Sequence, residues 1–251
     1  MHRARQSKLL PLGALLLALA ALPSAYGGQF GVSPIRVDLD RNSKSGAITV
    51  SNDEDADSLR VQMRLFEWTQ DAEGKDVYQE SQDLVYFPRL MVLEKGQQKL
   101  VRVGLRTPAT TQEKTYRLFV EELPSPPAPG SVTGSRVAIA VRFGVPVYLK
   151  PAKEEIRAEI VKLDVSKGVL HVGVRNTGNT HFTIKTVTAT SGKSFSREMA
   201  GWYLLAGVTR DHAIELPQAD CVRLGKLDVT VATDQAELRG AVDVDASMCK
   251  R

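Results

Sequence analysis

Val137-Ala138-Ile139-Ala140-Val141-Arg142-Phe143-Gly144-Val145-Pro146-Val147-Tyr148-Leu149 is the stretch that decides the fold. Its odd positions run Val137, Ile139, Val141, Phe143, Val145, Val147 and Leu149, and its even positions run Ala138, Ala140, Arg142, Gly144, Pro146 and Tyr148. One face is wholly apolar and the other small, basic or irregular, which is the period-two signature of a β-strand. A core strand of an ordinary sandwich carries the same pattern, but thirteen residues is about twice the common strand length. A long apolar strand that outruns its own sheet is an aggregation hazard unless something else uses it. One such use is addition of the strand to a partner's sheet. Pro146, with no N–H to donate, marks a break or an edge position.

Upstream, short alternating segments recur at Ile35–Leu39, Ala47–Ser51, Leu59–Trp68, Lys99–Leu105 and Tyr116–Glu122, punctuated by turn residues at 42–46, 52–58, 71–74, 94–96 and 107–114. Nothing of comparable length has apolar residues at helical spacing, so this half reads as a β-sandwich. Downstream of Lys150-Pro151-Ala152 the pattern restarts at Ile156–Val165, Val169–Asn176, Phe182–Thr190, Trp202–Leu205, His212–Leu216, Leu227–Ala232 and Arg239–Val244. Proline ends a strand and restricts the residue before it, which makes Lys150-Pro151 the natural boundary. The sequence therefore divides into a leader at 1–27, an all-β domain at 28–150 and a second at 151–251. Pro124-Ser125-Pro126-Pro127-Ala128-Pro129-Gly130 cannot hold a regular ladder and leads directly into the long strand.

The leader is read from Arg3, Arg5 and Lys8 ahead of an apolar run from Leu9 to Leu22, closed by Pro23-Ser24-Ala25-Tyr26-Gly27. That is a secretory signal peptide, with cleavage expected after Gly27. Without residues 1–27 the chain carries 30 basic and 29 acidic residues, net +1. A near-neutral exported protein argues against nucleic acid as a partner. No later segment is apolar enough to cross a bilayer as a helix, so no stable membrane insertion is expected. Cys221 and Cys249, the two cysteines, are expected to form a disulfide in an exported protein. His171, His181 and His212 show no metal-ligand spacing and read as surface or turn residues. GxSxG, Walker A and GxGxxG motifs are missing from the sequence, so no enzyme, cofactor or metal site is called for.

Several short motifs run along the chain: Val32-Ser33-Pro34-Ile35-Arg36-Val37, Ser51-Asn52-Asp53, Tyr86-Phe87-Pro88-Arg89 before Leu93-Glu94-Lys95-Gly96, and Tyr116-Arg117-Leu118 with Glu122-Leu123-Pro124. Pro146-Val147-Tyr148-Leu149-Lys150-Pro151 and Asn176-Thr177-Gly178-Asn179-Thr180-His181 complete the series. In this order and spacing they resemble the periplasmic chaperones of chaperone–usher pilus assembly. The resemblance implies two immunoglobulin-like β-sandwich domains in an angled arrangement with a cleft between them. It implies that the protein binds pilus subunits by donor-strand complementation and delivers them to an outer-membrane usher. A subunit lacking its last strand exposes apolar core and unpaired backbone, both costly in water, and a lent strand covers both. Val137, Ile139, Val141 and Phe143 are the implied donor residues. The family also grips the subunit's C-terminal carboxylate with two basic side chains. Arg36 matches the first of these, and a guanidinium suits a bidentate carboxylate grip. Where familiar members carry a lysine in the long strand this chain has Pro146, as in the divergent archaic or alternative branch, which leaves Arg142 and Arg117 as candidates for the second anchor. The alternative reading is a structural or adhesive β-sandwich component of a pilus. A free donor strand also gives the unbound protein a route to self-association.

Overall fold

Pro34 splits the opening strand in two. In a computed structural model, which describes residues 30–53, 58–108, 110–123 and 140–250, β1 (Phe30–Ser33) and β2 (Val37–Leu39) enter different sheets. β1 runs antiparallel to β3 (Ser45–Asn52), whereas β2 runs parallel to the strand ending at Leu149. The continuous strand expected from Ile35 to Leu39 is thereby corrected, because Ile35 is 78% exposed and precedes the ladder. The signal peptide, the proline-rich segment, Val137 and Ile139 lie outside the described residues.

The first sandwich continues with β4 (Leu59–Gln70), β5 (Asp76–Glu80), β6 (Leu84–Phe87), β7 (Leu90–Leu93), β8 (Gln98–Leu105), β9 (Lys114–Glu122) and β10 (Arg142–Leu149). One sheet has the order β1-β3-β8-β6, and the other β2-β10-β9-β4-β5, with β7 also on β4. Strands β5 to β7 escape sequence reading because each is four or five residues long, β5 is largely polar, and Pro88 interrupts the apolar run of β6 and β7. The long strand is also corrected: among the described residues it begins at Arg142. Ala140 and Val141 precede it, although the Glu122 N–H still donates to the Val141 carbonyl at 2.9 Å. The odd face of β10 turns inward as its periodicity requires. Val145, Val147 and Leu149 are buried with Leu39, Ile48, Val61, Tyr116 and Leu118, while Val141 and Phe143 are only half-buried at the margin of that core.

The second sandwich is built from β11 (Ala158–Ser166), β12 (Val169–Asn176), β13 (Phe182–Ser191), β14 (Phe195–Ala200), β15 (Tyr203–Leu204), β16 (Thr209–Glu215), a one-turn helix α1 (Gln218–Cys221), β17 (Lys226–Thr233) and β18 (Glu237–Asp243). Its sheets have the orders β11-β12-β16 and β14-β13-β17-β18, with β15 on β13. The β11–β12 hairpin turns through Lys167 and Gly168, both at positive φ (51° and 74°), which matches the twist of the flanking strands. A second core, around Leu170, Val172, Phe182, Val187 and Val229, is separate from the first. Cys221 and Cys249 form the expected disulfide, with a Cα–Cα distance of 5.8 Å across 28 residues of sequence. In the chain-entropy account, closing such a loop stabilises by roughly 3 kcal/mol.

The histidines are not surface residues as a group. His171 is partly exposed and lies 2.9 Å from Asp211, but His181 and His212 are buried. No spacing rule reveals this, because their burial comes from neighbours distant in sequence. Burial pushes His212 down to about 4, assisted by Arg210 and opposed by Asp211. Its folded pKa thus lies below the unfolded value near 6.5, and the unfolded chain takes up the proton first as pH falls. The contribution of neutral His212 is complete above about pH 6.5 and is lost progressively down to about pH 4. In urea melts from pH 7 to pH 4.5, the wild type is expected to lose roughly 2 kcal/mol more than His212→Gln. Equal losses would remove His212 from the acid response.

Candidate functional site

β10 has one complete neighbour and one partial one. β9 pairs with it from Arg142 to Leu149, but β2 covers only Val147 to Leu149. Among the described residues, the outer backbone edge from Arg142 to Pro146 has no strand partner. Open edges of this kind accept another strand unless a protein blocks them. Phe143 projects beside this edge and meets Phe30 edge-on, with ring centroids 5.0 Å apart. An unpaired ladder and half-buried apolar side chains therefore lie side by side.

The even face of β10 points the other way, towards the second sandwich. Pro146 lies opposite Arg117 on β9, and Gly144 opposite Phe119. Glycine leaves room there, since a Cβ on Gly144 would crowd the Phe119 ring at 3.1 Å and Arg117 Cδ at 3.2 Å. Arg117 runs across that gap, buried, with Nη1 donating to the Gly144 carbonyl at 3.2 Å and its guanidinium 3.9 Å above the Trp68 ring. Its Nε and Nη2 have no hydrogen-bond partner among the described residues, and neither do the nearby Trp68 Nε1 and Tyr148 Oη. The Trp68 π-face supports the charge, yet a buried cation with unused donors remains costly unless a counter-ion reaches it.

Arg36, the residue just before β2, approaches the same place. Its guanidinium lies 4.6 Å over the Tyr148 ring and takes both carboxylate oxygens of Asp38 at 2.8–3.0 Å. Partial burial works against the Arg36 charge, but the Asp38 hydrogen bonds and charge outweigh it and raise the pKa. Tyr148 is fully buried, and burial raises its phenol pKa despite the opposing Arg36 and Arg117 charges. Tyr148 therefore stays neutral between the two arginines. Arg142 does not join them. It pairs with Glu121 at 2.8 Å, stacks 3.6 Å over Phe119, and lies six residues before Tyr148, about 20 Å along an extended strand.

The seam between the sandwiches was largely invisible to sequence reading. His181 stacks flat on Tyr148 at 3.8 Å, with its Nδ1 2.6 Å from Glu113 Oε2, and Trp68 and Tyr148 form a small third core with Leu205. The Gln70 side chain bonds both the Tyr203 carbonyl (2.9 Å) and the Leu205 N–H (3.0 Å), and Trp202 Nε1 donates to Asp76 at 3.1 Å. Asn179 reaches Thr111 and Lys153, and Asn176 reaches Thr180 and Leu204. The segment Asn176–His181, singled out in the sequence, is thus a hub of the joint. Glu113, Gln70 and Trp68 gave no sequence signal, because a lone residue of any of these types fits an ordinary surface or core equally well.

Two tandem β-sandwiches, each with its own core, place this chain in the immunoglobulin-like all-β class expected from its sequence. The model of the pili and flagellar-assembly chaperone family, PapD N-terminal domain, matches residues 29–155, just over half of the chain, and the chain belongs to that family. A search of curated protein sequences finds no match. Among solved structures, the pre-assembly complex of the chaperone CsuC with the tip adhesion subunit CsuE, from archaic chaperone-usher Csu pili of Acinetobacter baumannii, aligns over 85% of this chain and 97% of the matched chain, with a TM-score of 0.59 and 20% identity. The CupB2 chaperone of Pseudomonas aeruginosa aligns over 85% and 100%, with a TM-score of 0.53 and 13% identity. The complex of the SafA pilin with the SafB chaperone of Salmonella enterica aligns over 87% and 99%, with a TM-score of 0.53 and 14% identity. A chaperone is the common element of these matches, and in two of them it is bound to a pilus subunit.

Proposed function

We propose that the exported chain, divided at Lys150-Pro151 into domains 28–150 and 151–251, acts in the periplasm as a pilus-subunit chaperone of the archaic type. It lends the start of β10, with Phe143, and the residues leading into it, Val137, Ile139 and Val141, to a subunit lacking its last strand, and hands the complex to an outer-membrane usher. Arg36 and Arg117 hold the subunit's C-terminal carboxylate beside Tyr148, and Arg142 does not take part. No covalent chemistry is involved. The observation that carries this reading is the unpaired β10 edge from Arg142 to Pro146, next to a buried guanidinium with unused donors. The archaic assignment draws on Pro146 in place of the family's strand lysine and on the likeness to CsuC. The same open edge offers the free protein a route to self-association.

The test is light scattering after size-exclusion chromatography of the purified chain mixed with a strand-deficient pilus subunit. A one-to-one complex is expected, and the chain alone should not polymerise. Polymers of the chain by itself would instead identify a pilus component. The lack of any complex with the subunits of its own pilus would remove the chaperone reading.

A further inference from the structure

In the free protein Arg36 already holds a carboxylate. Arg36 and Asp38 are two residues apart on nearly extended chain and project to the same side. Three short contacts join them: Nε to Oδ1 at 2.9 Å, Nε to Oδ2 at 3.0 Å and Nη2 to Oδ1 at 2.8 Å. This is the fork geometry by which a guanidinium would grip a chain terminus. Asp38 sits on β2 opposite Tyr148 of β10, so the internal carboxylate lies at the place assigned above to the client's. The two side chains are 43% and 42% exposed, and an ion pair so open to water is weak enough to be exchanged.

We propose that Asp38 is a built-in competitor: it occupies Arg36 until a client carboxylate displaces it, and so sets the selectivity of the anchor. This rests on the reading of Arg36 as a carboxylate anchor. Among the described residues no carboxylate forms an ion pair with Arg117, whereas Asp38 pairs with Arg36 and Glu113, bound by His181, acts on Arg36 only from a distance. A carboxylate arriving alone must displace Asp38 with little gain. One delivered by a strand that also pairs with β10 and reaches Arg117 has those further contacts to support the exchange. Asp38 therefore discriminates against stray anions and favours a terminus attached to a complementary strand.

The experiment compares wild type, Asp38→Asn and Arg36→Ala in binding a strand-deficient pilus subunit, prepared with a free C-terminal carboxylate and with a C-terminal amide. Asp38→Asn keeps the shape and removes the competing charge. It should bind the free-carboxylate subunit about two- to five-fold more tightly, the scale of an exposed ion pair, while the amidated subunit binds as to wild type. Acetate at high concentration should also inhibit the variant more than the wild type. If Asp38→Asn binds the free carboxylate equally or more weakly, Asp38 only positions Arg36, and this inference falls while the anchor stands. If wild type shows no preference for the free carboxylate, or Arg36→Ala keeps that preference undiminished, the reading of Arg36 as an anchor falls and this inference with it.

Discussion

Arg117→Met is expected to make the protein at least as stable as the wild type and much poorer at capturing subunits. Methionine keeps the apolar stem that packs over Trp68 and beside Gly144 while removing a buried charge whose Nε and Nη2 lack partners among the described residues. Replacing an uncompensated buried ion with an apolar side chain of similar reach is often neutral or stabilising, by about 1–4 kcal/mol. Losing one partner of a desolvated charge-assisted contact costs about 2–5 kcal/mol of binding, roughly a thirty-fold to several-thousand-fold loss. Stability and function thus move in opposite directions, the mark of a group retained for a ligand rather than for the fold. Arg36→Ala should weaken capture without moving the melt, since Arg36 is exposed, and Arg142→Ala should leave both unchanged. Calorimetry of the free proteins alongside subunit titrations measures the contrast. An Arg117→Met protein that melts earlier and captures subunits normally would make Arg117 a structural element of the seam.

Val147→Asp and Phe143→Asp, four residues apart on one face of β10, are expected to fail in different ways. Val147 is fully buried, and β10 has neighbours on both sides at that point. A carboxylate there has no water and no cation, a cost of several kcal/mol against a typical total stability of about 5–15 kcal/mol. That variant should not accumulate as folded protein. Phe143 is half-buried at the margin of the core, where β10 has lost its second neighbour, so a carboxylate can turn to solvent at a cost of about 1–2 kcal/mol. Phe143→Asp should fold and fail to capture subunits. Circular dichroism melts at low protein concentration, beside subunit pull-downs, separate the outcomes. If Phe143→Asp does not fold, the core claims the whole strand. If it folds and captures subunits normally, Phe143 does not enter the client.

Both contrasts turn on how much of β10 serves its own domain. Within the described part of the stretch alternation identified the apolar face, and Val145, Val147 and Leu149 lie in the core as that alternation requires. Periodicity has no term for where a neighbouring strand stops, so it could not show that β2 covers β10 only from Val147 onward. The strand's beginning at Arg142, the splitting of the opening strand at Pro34 and the short strands β5 to β7 were likewise decided by pairing.

What the sequence determined by itself is local. Alternation and turn residues pointed to two all-β halves with a boundary near Lys150-Pro151, the leader composition pointed to export, and two cysteines in an exported chain predicted their bond. Arg36 was legible through a motif, and Arg117 and Arg142 only as equals. Tertiary structure alone separated those two, by turning Arg117 under Trp68 and Tyr203 and leaving Arg142 with Glu121 on the far end of the strand. It alone buried His181 against Glu113 and Tyr148, residues 68 and 33 positions away in sequence. The physical reason is that hydrophobic periodicity reports which face of a strand meets a core, whereas desolvation, charge pairing and edge exposure depend on which distant segments arrive beside it.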